Sequence, residues 1–252
     1  MASVKPKKHL GQHFLKDENI ALKIVEALKN ESNLPVFEIG PGTGVLTKYL
    51  IDKDNLDFYA LDVDTESIDY LKSNYPSQAE RFLFQDYLKY NVSFERFNII
   101  GNFPYNISSQ LFFKIWDDRD HVDEVVCMIQ KEVADRICAN HGNKTYGILS
   151  VLLQAFFDLD YLFKVPPGVF NPPPKVQSAV IRLKRNSVKQ LPCDEKLFKR
   201  VVKAGFGKRR KTLRNALKDL NLPESVTTLD VMNQRAEQLS VQEFISLTEK
   251  IS

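Results

Sequence analysis

A stretch with the character of a buried strand, Pro35-Val-Phe-Glu-Ile39, runs into Gly40-Pro-Gly-Thr-Gly44 and then into residues 45–50, which read as helix. Strand, glycine turn and helix in that order form the βα unit of a nucleotide-binding sheet. Glycine lets the backbone approach a ligand closely, and the helix start offers unpaired N–H groups. The rhythm continues down the chain. Residues 58–62 read as a second strand ending in Asp62, about twenty residues beyond the glycine turn, where a carboxylate can accept from two ribose hydroxyls. Residues 81–84 form a third strand, followed by Gln85-Asp86, and residues 97–100 a fourth, which delivers Asn102. Four successive strands therefore bring polar residues to their C-terminal ends, where open α/β sheets bind ligands.

Helices are expected at 18–28, 65–71, 107–116, 131–139 and 147–157, and further strands at 122–129, 161–165 and 176–183. Asp17 can cap the first helix. After Asn186 the alternation stops, and helices are expected at 194–204, 209–219 and 240–250. The fold class expected is α/β: a Rossmann-like domain over residues 1–188 with a small all-helical domain over 189–252. At 252 residues and 43% hydrophobic content the chain can bury a substantial core.

Composition excludes several function classes. No apolar run reaches the length of a membrane span and the N-terminus lacks a signal-peptide core, so a cytoplasmic protein is expected. Cys127, Cys138 and Cys193 are odd in number and lack CxxC spacing, and His9 and His13 have Gly11 between them and no acidic partner, so neither a disulfide framework nor a metal site is expected. Net charge is only +3, yet residues 196–218 hold ten basic residues and no acidic one, leaving −7 for the rest of the chain. Lys5, Lys7 and Lys8 add a smaller cluster. Such segregation points to a polyanion partner, since phosphates demand clustered Lys and Arg.

The fourth strand leads into Gly101-Asn-Phe-Pro-Tyr-Asn-Ile-Ser108. Pro104 holds Phe103 extended and fixes its own φ, which aims the Phe103 carbonyl and leaves a free acceptor beside the Asn102 amide. A helix-capping turn is the plain alternative. The neighbouring strand ends favour a turn that presents a base-reading edge and a stacking ring together. Gly40, Gly42 and Gly44 make GxGxG, whereas a dinucleotide fingerprint needs glycine at position 45. The arrangement resembles the S-adenosylmethionine loop of methyltransferases. Gly205-Phe-Gly-Lys-Arg-Arg is not a P-loop, because Arg209 follows Lys208 and no strand precedes it.

Six blocks then carry a specific resemblance: Lys8-His-Leu-Gly-Gln-His-Phe-Leu15, Glu38-Ile-Gly-Pro-Gly-Thr-Gly-Val-Leu-Thr47, Gly101-Asn-Phe-Pro-Tyr-Asn-Ile-Ser108, Gln130-Lys-Glu-Val-Ala-Asp-Arg136, Phe170-Asn-Pro-Pro-Pro-Lys-Val-Gln-Ser178 and Phe206-Gly-Lys-Arg-Arg-Lys-Thr-Leu-Arg-Asn215. In this order they resemble the ribosomal RNA adenine dimethyltransferase family, in its small-subunit branch. The resemblance implies a Rossmann-like S-adenosylmethionine-dependent enzyme that forms N6,N6-dimethyladenosine at two adjacent positions near the 3′ end of small-subunit rRNA. S-adenosylhomocysteine would be the product. It further implies a pre-ribosomal small subunit as partner, a role in ribosome biogenesis, no metal and a monomer.

Carried over residue by residue, Gln12 and the backbone around His13 and Leu15 would close over the cofactor. Gly40 and Gly42 would face its methionine part, Asp62 its ribose and Asp86 its adenine amino group, with Glu38, Val63, Tyr87 and Asn102 completing the set. Asp62 departs from the usual Glu, and the shorter acid has to sit closer to the ribose. Phe103 stands where Leu is commoner. Asn102 and the Phe103 carbonyl would orient the substrate amine, Pro104 would fix that backbone, Tyr105 would stack on the flipped base and Phe170 would clamp its other face. Lys203, Lys208, Arg209, Arg210, Lys211 and Arg214 would contact RNA. The competing readings are the large-subunit branch that confers antibiotic resistance, an assembly factor acting mainly by binding, and an N6-adenine DNA methyltransferase, whose turn carries two consecutive prolines.

Overall fold

The computed structural model describes residues 4–53, 55–208 and 210–251. The chain divides into two compact units, Met1–Ala134 with Leu159–Arg185, and Asp135–Asp158 with Asn186–Ser252.

The first unit is built on a seven-stranded sheet. Its strands are β2 (Val36–Ile39), β3 (Phe58–Asp62), β4 (Phe82–Phe84), β5 (Phe97–Asn102), β6 (Val122–Gln130), β7 (Phe157–Val165) and β9 (Ser178–Arg185), in the spatial order β4-β3-β2-β5-β6-β9-β7. A separate two-stranded ladder joins β1 (Phe14–Leu15) to β8 (Phe170–Asn171), with Leu15 opposite Phe170. β2 pairs in parallel with both β3 and β5, so the strand order reverses there and opens a crevice at the C-terminal edge. β9 runs antiparallel to β6. All four residues of β2 are buried, as a parallel strand covered on both faces requires. Around the sheet lie α1 (Glu18–Ala27), α2 (Thr47–Ile51), α3 (Thr65–Asn74) and α4 (Ser108–Asp117). α1 buries Ala21, Ile24 and Val25, and Asp17 caps it by accepting the Ile20 N–H at 3.0 Å.

The second unit contains α6 (Ile148–Gln154), α7 (Glu195–Gly207), α8 (Leu213–Ala216), α9 (Glu224–Thr227) and α10 (Val241–Ile251); α5 (Lys131–Ile137) crosses the division in the chain. Its core sets the Phe206 ring 6.0 Å from Tyr146 and 5.9 Å from Phe244. These rings draw residues 135–158 into the C-terminal unit, although a boundary near Lys189 alone would place them in the first. Two further expectations are corrected. The helix expected to run to 157 ends at Gln154, and Phe157 already begins β7. The helix expected over 209–219 is a single turn starting at Leu213, because Thr212 is extended (ψ 159°) and the Leu213 N–H goes to the Gln234 carbonyl. Among the described residues no helix is long and apolar enough to cross a membrane.

Candidate active site

The crevice at the C-terminal edge of β2, β3, β4 and β5 is an open cleft of about 180 Å³. The glycine loop after β2 forms its floor. Gly42 has φ +55°, and a Cβ there would stand 2.8 Å from the Phe14 ring, so the loop needs glycine for conformation and for space. Its N–H donates to Asp62 Oδ2 at 3.3 Å, while Oδ1 accepts from the Asp64 N–H at 2.9 Å. Burial pushes the Asp62 carboxyl up to about 6, against the pull of these N–H groups. Asp62, Val63 and Asp86 all line the cleft. Val63 is 44% exposed there, an apolar surface awaiting a cover. Asp86 accepts the Leu88 N–H at 3.0 Å, which turns the chain after β4 and adds Leu88 to the wall.

Glu38 lies beneath the loop, outside the main cleft, against a void of about 20 Å³ shared with Gly40 and Asn102. It is 1% exposed and accepts the Thr47 hydroxyl at 2.7 Å. Burial raises it to about 8; the Thr47 bond opposes this and the Asp62 charge adds to it. The unfolded chain ionises this acid near 4.5 and the folded one only near 8, so the site's contribution to stability is complete below pH 4.5 and declines as pH rises to 8. Glu38→Gln removes that titration. The melting temperature of the variant relative to wild type is expected to rise from pH 5 to pH 8, and thermal denaturation at the two pH values checks it; a constant difference refutes it.

The turn after β5 supplies the polar edge. Gly101 and Asn102 continue the ladder to β6, and the Phe103 N–H donates to the Met128 carbonyl at 3.0 Å. The Phe103 ring is 1% exposed and packs 5.9 Å from Phe112, so Phe103 meets the cleft through its main chain. No backbone amide among the described residues takes up its carbonyl. Asn102 Nδ2 donates to the His13 carbonyl at 2.9 Å, which leaves Oδ1 as the free end of the amide. Pro104 and Tyr105 complete this wall. The Tyr105 hydroxyl bonds to Ser178 Oγ, and its ring centroid lies 5.2 Å from that of His13, whose Nδ1 is 2.7 Å from the Pro172 carbonyl. Burial raises the Tyr105 hydroxyl, and the bond to Ser178 opposes the shift.

The N-terminal arm forms the remaining wall through Leu10, Gly11, Gln12, His13 and Phe14. Gln12 lines the cleft, but both ends of its amide are engaged: Oε1 takes the Lys7 N–H at 2.8 Å and Nε2 donates to Asp64 Oδ2 at 3.1 Å. Leu10, Phe14, Leu88 and Ile107 were not anticipated, and they are the apolar members of the blocks and turns that supply the polar ones.

Besides Glu38, three expected site residues stand outside this cleft. Leu15 is 2% exposed and Phe170 1%; the β1–β8 ladder presses both side chains into the hydrophobic core. The Tyr87 side chain turns away from the cleft and donates to Asp118 Oδ2 at 3.1 Å. In the second unit Lys203, Lys208, Arg210, Lys211 and Arg214 are all exposed. Lys208 pairs with Asp219 at 2.8 Å, and the Arg214 guanidinium donates to the Thr227 carbonyl and to Asn233 Oδ1. Arg209 lies outside the described residues. Among the described residues no group of three or more His, Cys, Asp or Glu is placed to hold a metal.

A family model described as ribosomal RNA adenine dimethylase matches residues 3–252. The chain is 56% identical to ribosomal RNA small subunit methyltransferase A of Cytophaga hutchinsonii, over 100% of this chain and 99% of that one. It is 54% identical to the protein of the same name from Flavobacterium johnsoniae, over 100% and 97%. Among solved structures, a dimethyladenosine transferase from Plasmodium falciparum superposes with a TM-score of 0.77 at 27% identity, covering 93% of this chain and 96% of that one. The 23S rRNA methyltransferase ErmE shares the fold, with a TM-score of 0.68 at 23% identity over 93% and 99%.

Proposed function

The chain belongs to the ribosomal RNA adenine dimethylase family, and from that premise we propose that it moves methyl groups from S-adenosylmethionine to N6 of two adjacent adenosines near the 3′ end of small-subunit rRNA. The observation that carries this reading is the held Asn102 amide, whose Nδ2 is committed to the His13 carbonyl so that Oδ1 remains to receive a donor. An adenine amine has two such donors.

The cleft fits the cofactor. Asp62 has acceptor capacity beyond the two N–H groups it holds, enough for ribose hydroxyls. Val63 and Leu88 offer apolar surface for an adenine ring and Asp86 an acceptor for its amino group, with Gly40 and Gly42 open to the methionine part. S-adenosylmethionine supplies a methyl group activated on a sulfonium. The exocyclic nitrogen of adenine is a poor nucleophile because its lone pair is delocalised into the ring. Asn102 Oδ1 and the Phe103 carbonyl each accept one N–H and localise that lone pair in a fixed direction. Catalysis by these residues is positioning and electrostatics, with no covalent enzyme intermediate and no dedicated base: the nitrogen becomes acidic as the methyl arrives and gives up one proton to solvent. Tyr105, its hydroxyl anchored on Ser178, offers the ring face on which a flipped base stacks. After the first transfer one N–H remains, so the second proceeds with a single acceptor engaged.

Mass spectrometry of rRNA from isolated small and large subunits, incubated with the protein and labelled cofactor, tests the proposal. Dimethyladenosine in small-subunit rRNA is expected; label confined to large subunits, or none at all, refutes it. The exposed cations of the second unit, Lys203, Lys208, Arg210, Lys211 and Arg214, are proposed to supply phosphate contacts. Reversing Arg210 and Lys211 to Glu is expected to weaken rRNA binding and to flatten the fall of affinity with salt, measured by filter binding over a salt series; an unchanged slope places the RNA contact elsewhere.

A further inference from the structure

The arm ahead of β1 is anchored by polar contacts that the methyl-transfer reading leaves unused. Lys7 Nζ meets Asp64 Oδ1 at 2.5 Å and Glu66 at 3.3 Å, and Gln12 bridges from the Lys7 N–H to Asp64 Oδ2. The Asp64 side chain is 0% exposed and also caps α3 by accepting the Glu66 N–H at 3.1 Å. A carboxylate this deeply buried stays ionised only when a cation and several donors surround it. Lys7, Gln12, Ser67 and the Glu66 amide supply them. An N-cap alone needs one acceptor oxygen and no lysine.

Both ends of this anchor reach the reacting parts of the site. The Asp64 N–H donates to Asp62 Oδ1, the acid placed at the ribose. Gln12 is followed directly by His13, whose carbonyl accepts from Asn102 Nδ2. A carboxamide carries an acceptor and a donor on one plane, and rotation about its terminal torsion is soft. The His13 carbonyl therefore decides which end of Asn102 meets the substrate. With the arm displaced, the amide can turn its NH2 toward an amine that itself offers only N–H donors.

We infer that Asp64, acting through Lys7 and Gln12, is a positioning residue for methyl transfer: it holds the arm so that the His13 carbonyl keeps the Asn102 oxygen toward the substrate amine. The inference rests on Asn102 being the group that orients that amine. It makes the arm part of the catalytic geometry as well as a wall of the cleft, and it links the ribose acid to the amine-orienting edge through one buried carboxylate. The β1–β8 ladder and the contact of His13 Nδ1 with the Pro172 carbonyl fasten the arm independently at residues 13–15. Loss of the anchor therefore frees residues 7–12 while 13–15 stay fastened, so the His13 carbonyl shifts only as far as the loosened Gln12 on its N-terminal side allows, and the arm is not released.

The test uses the full chain carrying Lys7→Met, Lys7→Arg or Asp64→Asn, with two readouts. Steady-state methylation of small subunits gives kcat and the KM for the cofactor. Hydrogen exchange of residues 7–15 in the free protein, followed by mass spectrometry, reports the arm with no cofactor present. Lys7→Met is expected to lower kcat about tenfold, less than the ~100-fold that a misplacement of 1 Å can cost, with KM within about threefold and faster exchange in the arm. Lys7→Arg is expected to restore both, and Asp64→Asn, which keeps an oxygen for the helix cap, to lower kcat at least as far as Lys7→Met. Unchanged kcat in Lys7→Met overturns the inference whether or not exchange quickens, and so does a raised KM with unchanged kcat, which would make the anchor a cofactor clamp. A wild-type protein that methylates no rRNA overturns the functional reading itself, an outcome distinct from these.

Discussion

Asn102→Ala is expected to lower kcat for small-subunit dimethylation by about 10²–10³-fold while cofactor affinity stays within about tenfold of wild type. The asymmetry follows from how the cleft divides its work. The acids at the ends of β3 and β4 and the glycine loop form one part of the lining, and Asn102 belongs to the turn that forms the opposite wall. Removing its amide leaves the Phe103 carbonyl as the one acceptor at the amine. One N–H can then be held, but the direction of the lone pair is no longer set by two fixed points. Positioning supplies most of the acceleration proposed for this site, so the loss falls on kcat. The substitution also leaves the His13 carbonyl without the Asn102 donor. Asn102→Asp sharpens the argument, because it keeps the size of the side chain but sets a carboxylate oxygen against that carbonyl, two acceptors facing each other. It is expected to fail nearly as badly as the alanine variant, although it retains an acceptor. Single-turnover methylation with titration calorimetry of the cofactor separates the two effects. Normal dimethylation by Asn102→Ala would remove this residue, and the mechanism built on it, from the site.

The parts of this site that could be read in advance are those whose signals are local. Gly40, Gly42, Asp62, Asp86 and Asn102 each follow a short apolar strand, and in a parallel sheet the end of a strand is a position in space as well as in the chain. Pro104 restricted the turn in the same local way. What escaped was decided by pairings between distant segments. Phe170 sits in a rigid proline-rich loop and reads as an aromatic clamp, yet its register opposite Leu15 makes it a core residue, and nothing within either segment announces the other. Tyr87 follows a strand end, but the polar partner that draws its hydroxyl away is Asp118 at the end of α4. Lys7 belongs to a cluster that reads as polyanion-binding; 57 residues later Asp64 supplies a buried carboxylate that takes this lysine for itself. Residues 135–158 likewise read as a continuation of the βα alternation. Their membership of the second unit depends on the Tyr146 and Phe206 rings meeting, a contact across sixty residues of chain.

Gly101→Ala is expected to destabilise the fold by about 3–5 kcal/mol and to lower the melting temperature by about 10 °C, although the change adds one methyl group and the φ of Gly101 suits any residue. The reason is proximity of backbone. A Cβ at this position would lie 2.4 Å from the Ile39 carbonyl oxygen, with the carbonyl carbon and the Ile39 nitrogen each at 3.3 Å. These are main-chain atoms of β2, the strand beside β5, so no side-chain rotation relieves the overlap. Relief requires the end of β5 to move away from β2, but β5 is held on its other side by β6, with Gly101 opposite Cys127 and Asn102 opposite Met128. The strain therefore reaches Asn102 and the Phe103 carbonyl, and activity is expected to fall further than lost stability alone accounts for. Gly168→Ala is the control, since nothing lies within 4 Å of its added carbon and its φ is ordinary; it is expected to stay within about 0.5 kcal/mol of wild type. Calorimetry of both variants decides the matter. A Gly101→Ala protein that melts within about 2 °C of wild type would mean that the C-terminal edge of β5 is free to shift, and a turn on a strand free to shift could not hold an amine in place.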